Sequence, residues 1–205
     1  MNLLEIAQLT NTLCGLQGNI DTISNLKEMQ ADLVRFIRQA NLNIQLHRKD
    51  WKFMTGTMQV ALTALVNTVD NDNVSEWKRV IHGKTDLRFV DYETYLTSDW
   101  SEPRPPAQYT VVPETNQLLV NTLDNTYTFT VRYIKVPKDL LLNTDVPLLP
   151  VRFHSLIAYS AAASFGSWLG SPEIEDKNLT MADTLTGYMM QSEVPARTLK
   201  FNPLA

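Results

Sequence analysis

The stretch DVPLLPVRFHSLIAYSAAASFGSWLGSPEIED, from Asp145 to Asp176, decides how the chain is read. Pro147 and Pro150 forbid a continued helix or strand. Pro150, with φ fixed and no N–H to lose, suits the first turn of a new helix. The spacing predicts that helix over 150–169, with Gly170 as its stop. Ser171 is placed to cap a second helix, with Pro172 at its first position and Glu173 in its first turn. Inside the first helix, serines and alanines stand at 155, 158 and 160–164, followed by Gly166 and Ser167. Small side chains nearly all round a helix let neighbouring backbones approach from several sides. That fits a dense bundle, or a bundle that also abuts a neighbouring subunit. Phe153, Leu156, Ile157, Ala161, Phe165 and Trp168 are the candidate packing or subunit-interface residues.

A bundle needs more helices, and the N-terminal part supplies them. Residues 2–14 read as a short helix, with Leu3, Leu4, Ile6, Ala7 and Leu9 on its apolar side; Gly15 and Gly18 then loosen the chain. Asp21 or Thr22 is placed to cap a second helix running to about His47. Its stripe is Ile23, Leu26, Gln30, Leu33, Ile37, Ala40 and Ile44, a 3,4 spacing with one polar break. After Ser171, a sparser stripe of Ile174, Met181, Leu185 and Tyr188 is expected, with Gly187 weakening the helix end.

From Trp51 the pattern shortens to strand-like pieces: WKFMT, QVALTAL, VSEWKRVI, LRFVDY, QYTVV and NQLLVNT. DYETYLTSDW reads as a helical turn and SEPRPPAQ, residues 101–108, as an extended loop. NTYTFTVRYIK alternates cleanly. Tyr127, Phe129, Val131 and Tyr133 point one way, and Thr126, Thr128, Thr130 and Arg132 the other. This predicts an antiparallel sheet with one polar face. LDNT, residues 123–126, has the make-up of a tight hairpin connection.

The expected architecture is therefore α+β. A helical bundle is built from both ends of the chain (1–50 and 137–192), an antiparallel β-rich subdomain is inserted at 51–136, and an extended arm follows at 193–205.

Composition narrows the function. The 205 residues are 44% hydrophobic and 20% charged, a globular balance. A net charge of −4 argues against a protein whose main task is gripping nucleic acid, though not against one that stands beside passing DNA. One cysteine, Cys14, permits no intrachain disulfide and fits a reducing compartment. The N-terminus lacks the basic region of a signal peptide, and no run reaches roughly 18 uninterrupted apolar residues, so no membrane span is expected.

The residues that could carry catalysis or hold a metal do not fall into a working pattern. His47, His82 and His154 are scattered, without ligand spacing, and read as surface or helix-end histidines. Gly83-Lys84-Thr85 ends like a phosphate-binding loop, but Lys78 stands where the loop's first glycine belongs, so a turn between strands is expected. Ser24 and Lys27 have S-x-x-K spacing without the companion S-D-N, since Trp100 follows Ser98-Asp99. Asp70, Asp72 and Glu76 lack the glycine and spacing of a calcium loop. Cys14 has no basic neighbour and reads as a small buried residue. No enzyme, cofactor or metal is expected.

The order of features resembles phage head-to-tail adaptor (connector or neck) proteins, including the tail tubular protein A family. A long helix leads into ANLNIQLHRKDWKFMTGTMQV, around Trp51 and Phe53. A β-rich excursion closes on VRYIKVPKDLLLNTDVPLLPVRFHSLIAYSAAASFG, then Gly170-Ser171-Pro172-Glu173 and a last helix ending near Tyr188-Met189-Met190. The resemblance covers most of residues 20–192. It implies a virion structural protein, made in the host cytoplasm. It implies a ring, commonly of twelve copies, between the portal and the tail or a second neck protein, and DNA that passes without specific binding. It also implies a C-terminal segment that reaches the portal, with Arg197, Leu199, Lys200, Phe201 and Leu204 as its grips. The alternatives are a tail-side stopper, terminator or tail-completion protein, and, from another class, a small α+β ligand-binding or enzymatic domain.

Overall fold

The computed structural model describes residues 1–24, 26, 28–64, 67–98 and 103–195. The protein is α+β and divides into two compact units. One is Met1–Phe53 with the chain from Pro137 onward; the other is Met54–Val136.

The first unit is helical: α1 (Leu3–Leu13), α2 (Glu28–Leu46), α4 (His154–Leu169) and α5 (Pro172–Glu193). A short helix α3 (Tyr92–Thr97) belongs to the other unit. Asn2 and Glu5 start α1 with a reciprocal capping box: the Glu5 N–H donates to Asn2 Oδ1 (2.9 Å) and the Asn2 N–H to Glu5 Oε2 (3.0 Å). Helix α4 is the centre. It packs against α1, α2 and α5, which is why apolar and small residues run all round it. Leu3, Ile6, Leu33, Ile37, Leu156, Ile157, Ala161 and Phe165 are fully buried there, with Phe36 meeting Phe165 edge-on at 5.9 Å. Gly170, at φ 68°, adopts the left-handed conformation that ends α4, as a helix-stop glycine does.

Three expectations about this unit need correction. Helix α2 begins at Glu28, not near Asp21, because the preceding chain is engaged elsewhere. The Ile23 N–H donates to Asn143 Oδ1 (3.0 Å), and Asn143 Nδ2 donates to Thr22 Oγ1 (3.1 Å). Ser171 occupies the cap position of α5 but makes no side-chain cap bond. The buried row of α5 is Asn178, Ala182, Met189 and Glu193, while Met181 and Tyr188 are exposed. Ile174 and Leu185 are half-buried, and Ile174 packs on Gly166 of α4, so the expected stripe holds at those two positions and fails at Met181 and Tyr188.

The second unit holds two four-stranded sheets. One has the order β1-β8-β3-β4 and is antiparallel throughout: β1 (Thr55–Leu62), β8 (Tyr127–Lys135), β3 (Val74–His82) and β4 (Thr85–Asp86). The other has the order β2-β7-β6-β5: β2 (Thr68–Val69), β7 (Leu118–Val120), β6 (Gln108–Val111) and β5 (Arg88–Phe89), with β5 and β6 parallel. Both sheets contribute to one core, in which Trp77, Val80, Leu118, Val120, Leu123, Phe129 and Val131 are buried. Phe129 and Val131 are buried and Tyr127 and Tyr133 half-buried, so the alternation read in β8 holds.

LDNT is not a hairpin. Strand β7 pairs with β2 and β6, whereas β8 pairs with β1 and β3, so residues 123–126 carry the chain from one sheet to the other. Leu123 is fully buried and bridges to Arg104, which anchors the crossing in the core rather than in a surface turn. The tight hairpin lies instead at Gly83-Lys84, between β3 and β4, with Gly83 at φ 59°.

Candidate interaction surfaces

Of the six packing residues proposed from the sequence, Phe153, Leu156, Ile157, Ala161 and Phe165 are buried inside the helical unit. Trp168 is 51% exposed. One part of its ring meets Phe165 (5.5 Å) and Phe36 (6.1 Å), and the rest faces outward. Arg197, Leu199, Lys200, Phe201 and Leu204 lie outside the described residues.

The segment between the β unit and α4, residues 137–150, was not singled out from the sequence as a surface. It runs as a strap over the helical unit, tied by backbone and side-chain bonds. Asn41 Nδ2 (2.8 Å) and Gln45 Nε2 (3.0 Å) donate to the Lys138 carbonyl, and the Lys138 N–H donates to Gln45 Oε1 (2.9 Å). Arg38 on α2 pairs with Asp139, and this guanidinium holds the Asp139 carboxyl below its ordinary value. The Leu3 N–H donates to the Asp145 carbonyl (2.8 Å) and the Leu4 N–H to the Asn143 carbonyl (3.2 Å), so the strap supplies acceptors for the open start of α1. Asp145 Oδ2 accepts from the Leu141 (2.8 Å) and Leu142 (2.9 Å) N–H groups, which depresses its pKa as well.

Leu140 is buried under this strap, but Leu141 (61%), Leu142 (64%) and Val151 (73%) are exposed. Exposed apolar side chains on a backbone held this firmly have the character of a contact surface rather than of a loose linker. The signal was present as three consecutive leucines in a linker, Leu140-Leu141-Leu142. On α5, Met181 and Tyr188, two turns apart on one side, are exposed, as are Leu179 on another side and Trp168 and Leu169 at the end of α4.

A cavity of about 280 Å³ opens between α2, α4 and α5, lined by Ala40, Ile44, Trp51, Ser160 and Met189 among others. His47 and Asp183 are the titratable side chains on its wall. Among the described residues, no three His, Cys, Asp or Glu side chains gather closely enough to hold a metal ion. Cys14 is buried, and desolvation pushes its thiol up to about 11, which leaves it protonated and unreactive. His82 reaches the Thr128 carbonyl (3.2 Å).

His154 is not a surface histidine. It is the first residue of α4 and fully buried. The Met1 ammonium donates to Nδ1 (2.8 Å), and Nε2–H donates to the Leu149 carbonyl (2.9 Å), an arrangement that requires the neutral ring. Desolvation, the largest cause, lowers its pKa. No described helix is long and apolar enough to cross a membrane.

A helical unit with a β-rich insertion is the architecture that the resemblance to structural adaptors implies. The chain belongs to the SU10 adaptor protein family, whose model matches residues 1–197. The match reaches beyond the resemblance read from residues 20–192 and takes in all of α1. No curated protein matches the chain.

Proposed function

We propose that this chain is a head-to-tail adaptor of a phage virion. Copies of it close into a ring, of twelve if the resemblance holds in number, that joins the portal to the tail or to a second neck protein. The observation that carries the reading is membership of an adaptor family over nearly the whole chain. The geometry of the helical unit supports it. A ring needs two different surfaces on each copy, one meeting the other on the next, because a contact made by a single self-complementary patch stops at two. The strap with Leu141 and Leu142 and the outer side of α5 with Met181 and Tyr188 are two such surfaces. The net charge of −4 suits a wall past which DNA moves without being held.

The tail-side alternative would gain from a helical content well below about a third. Among the described residues, five α-helices, of 11, 19, 6, 16 and 22 residues, already exceed that share of 205. The test is reconstitution. Purified chain added to packaged, tail-less heads should bind them and make them competent to accept tails. Heads that join tails equally well without it would refute the proposal.

A further inference from the structure

Two features of the helical unit complement each other and stand where one chain cannot bring them together. The first is the strap. Leu141 and Leu142 are exposed on backbone fixed by Asp145. Lys138, three and four residues before them, is held through its N–H and carbonyl by Gln45 and Asn41. Its side chain is exposed, and its ammonium makes no ion pair among the described residues, whereas Asp139 is paired with Arg38. The second feature is the cavity between α2, α4 and α5. On its wall Ala40, Trp51 and Met189 are buried, Ile44 is half-buried, and Ser164 and Asp183 are exposed. The Asp183 carboxylate makes no hydrogen bond or ion pair among the described residues. A space of roughly 150 Å³ accepts a benzene ring, and about 280 Å³ accepts the ends of two leucine side chains.

We infer that Leu141 and Leu142 of one copy enter this cavity in the next copy, with Lys138 set beside its Asp183. The inference rests on the proposed ring and names the contact within it. The geometry of α2 explains why the occupant is a second copy. The strap is tied to α2 at Arg38, Asn41 and Gln45, and the cavity takes Ala40, Asn43, Ile44 and His47 from the same helix. At 3.6 residues per turn, these two sets centre about 140° apart around α2. A chain therefore carries its strap on one side of the helix and its cavity on nearly the other. Its own leucines, held by Asp145, do not turn into its own cavity. What the lone chain leaves unmet is mutual: two exposed leucines and a cation on one side, an apolar hollow and a carboxylate on the other. Burial of the leucines drives the contact, and the charge pair at the rim sets its register. Because the two surfaces differ, every copy uses both, and the contact runs from copy to copy until it closes.

Crosslinking of copies bound to packaged, tail-less heads tests it. Cys14 is buried and protonated, so added cysteines are the ones that react. Leu142→Cys with Ser164→Cys, both at exposed positions, puts one thiol on the strap and one at the cavity. A short bifunctional thiol reagent should then link bound copies into a ladder of covalent multimers, while either cysteine alone gives nothing beyond a dimer. Leu142→Cys with Tyr188→Cys probes the competing seat on the other side of α5. Lys138→Glu should weaken assembly on heads severalfold, and adding Asp183→Lys should restore it. Thermal melts check that every variant keeps the fold. A ladder from the Tyr188 pair and none from the Ser164 pair overturns the inference and leaves the ring standing. So does a ladder from neither pair, or a charge exchange that fails to restore assembly. A natural chain that does not bind heads refutes the ring itself, and the inference with it.

Discussion

A Cβ placed on Gly166 of α4 would stand 2.8 Å from the backbone nitrogen of Glu175 and 2.9 Å from Ile174 Cγ2, so the two helices cross at a point where only glycine fits. The main chain of α5 is what stands in the way, and it has no flexible end to move aside. This contact explains why the smallest residues of the chain run along one helix. Ala158, Ala161, Ala162 and Gly166 let three neighbours reach α4 at once, and at Gly166 the approach of α5 leaves no room for a side chain.

Gly166→Ala should therefore destabilise the protein, by roughly 1–3 kcal/mol, although alanine is the better helix former. Ala161→Leu, at a fully buried site, should cost a similar amount. Thermal unfolding checks both. Unchanged melting of either variant would mean that α4 is loosely packed.

His154 predicts a pH dependence with a definite sign. Its folded-state pKa lies below the ordinary value of 6.5, so the unfolded chain binds the proton more tightly. The stabilisation is complete above about pH 6.5 and is lost as pH falls from there through the lowered value. The carboxylates held low by their partners, Asp139 and Asp145, act only below their ordinary 3.8, outside the window from pH 7 to 5. Denaturant midpoints across that window should fall with pH in the natural chain and fall less in His154→Gln. Parallel curves would show that the ring does not titrate on unfolding.

Gln45 is buried and both donates to and accepts from Lys138. Gln45→Met keeps the length but leaves the Lys138 N–H without its acceptor, at a cost of about 1–3 kcal/mol. Hydrogen exchange should then quicken at Lys138 and along the strap before it quickens in α1 or α4. Uniform change would mean that the strap is not tied at this point.

The C-terminal segment is proposed to grip the portal through Arg197, Leu199, Lys200, Phe201 and Leu204. The cut that tests this must spare Glu193, whose carboxylate pairs with Arg152 at 2.5 Å and closes α5 onto the start of α4. A chain ending at Pro195 should melt like the natural one and fail to bind heads. Normal binding would remove the segment from the proposal.

Much of the fold was legible because punctuation and periodicity act locally. Gly170 and Pro172 mark the end of α4 and the start of α5, whereas the helix expected from Pro150 opens with a 3-10 turn, Val151–Phe153, and α4 itself starts at His154; Tyr127, Phe129, Val131 and Tyr133 mark the inner face of β8. What was misread depends on distant partners. The start of α2 is set by Asn143, some 120 residues away, which holds Thr22 and the Ile23 N–H. LDNT has hairpin chemistry, but its neighbours pair in different sheets, and no local rule reports that. His154 is the helix-end residue the sequence suggests, but its burial was not legible because its two partners, Met1 and Leu149, come together only in the fold. The exposed Leu141 and Leu142 were visible as residues, but that they stand on a fixed backbone follows from Asp145, Asn41 and Gln45 together.

Electron microscopy of the intact particle tests the central claim most directly. The account predicts a closed ring of this chain beneath the portal vertex, with strap and α5 surfaces of adjacent copies in contact. Density for the chain elsewhere in the particle, or for isolated copies with those surfaces facing solvent, would contradict it.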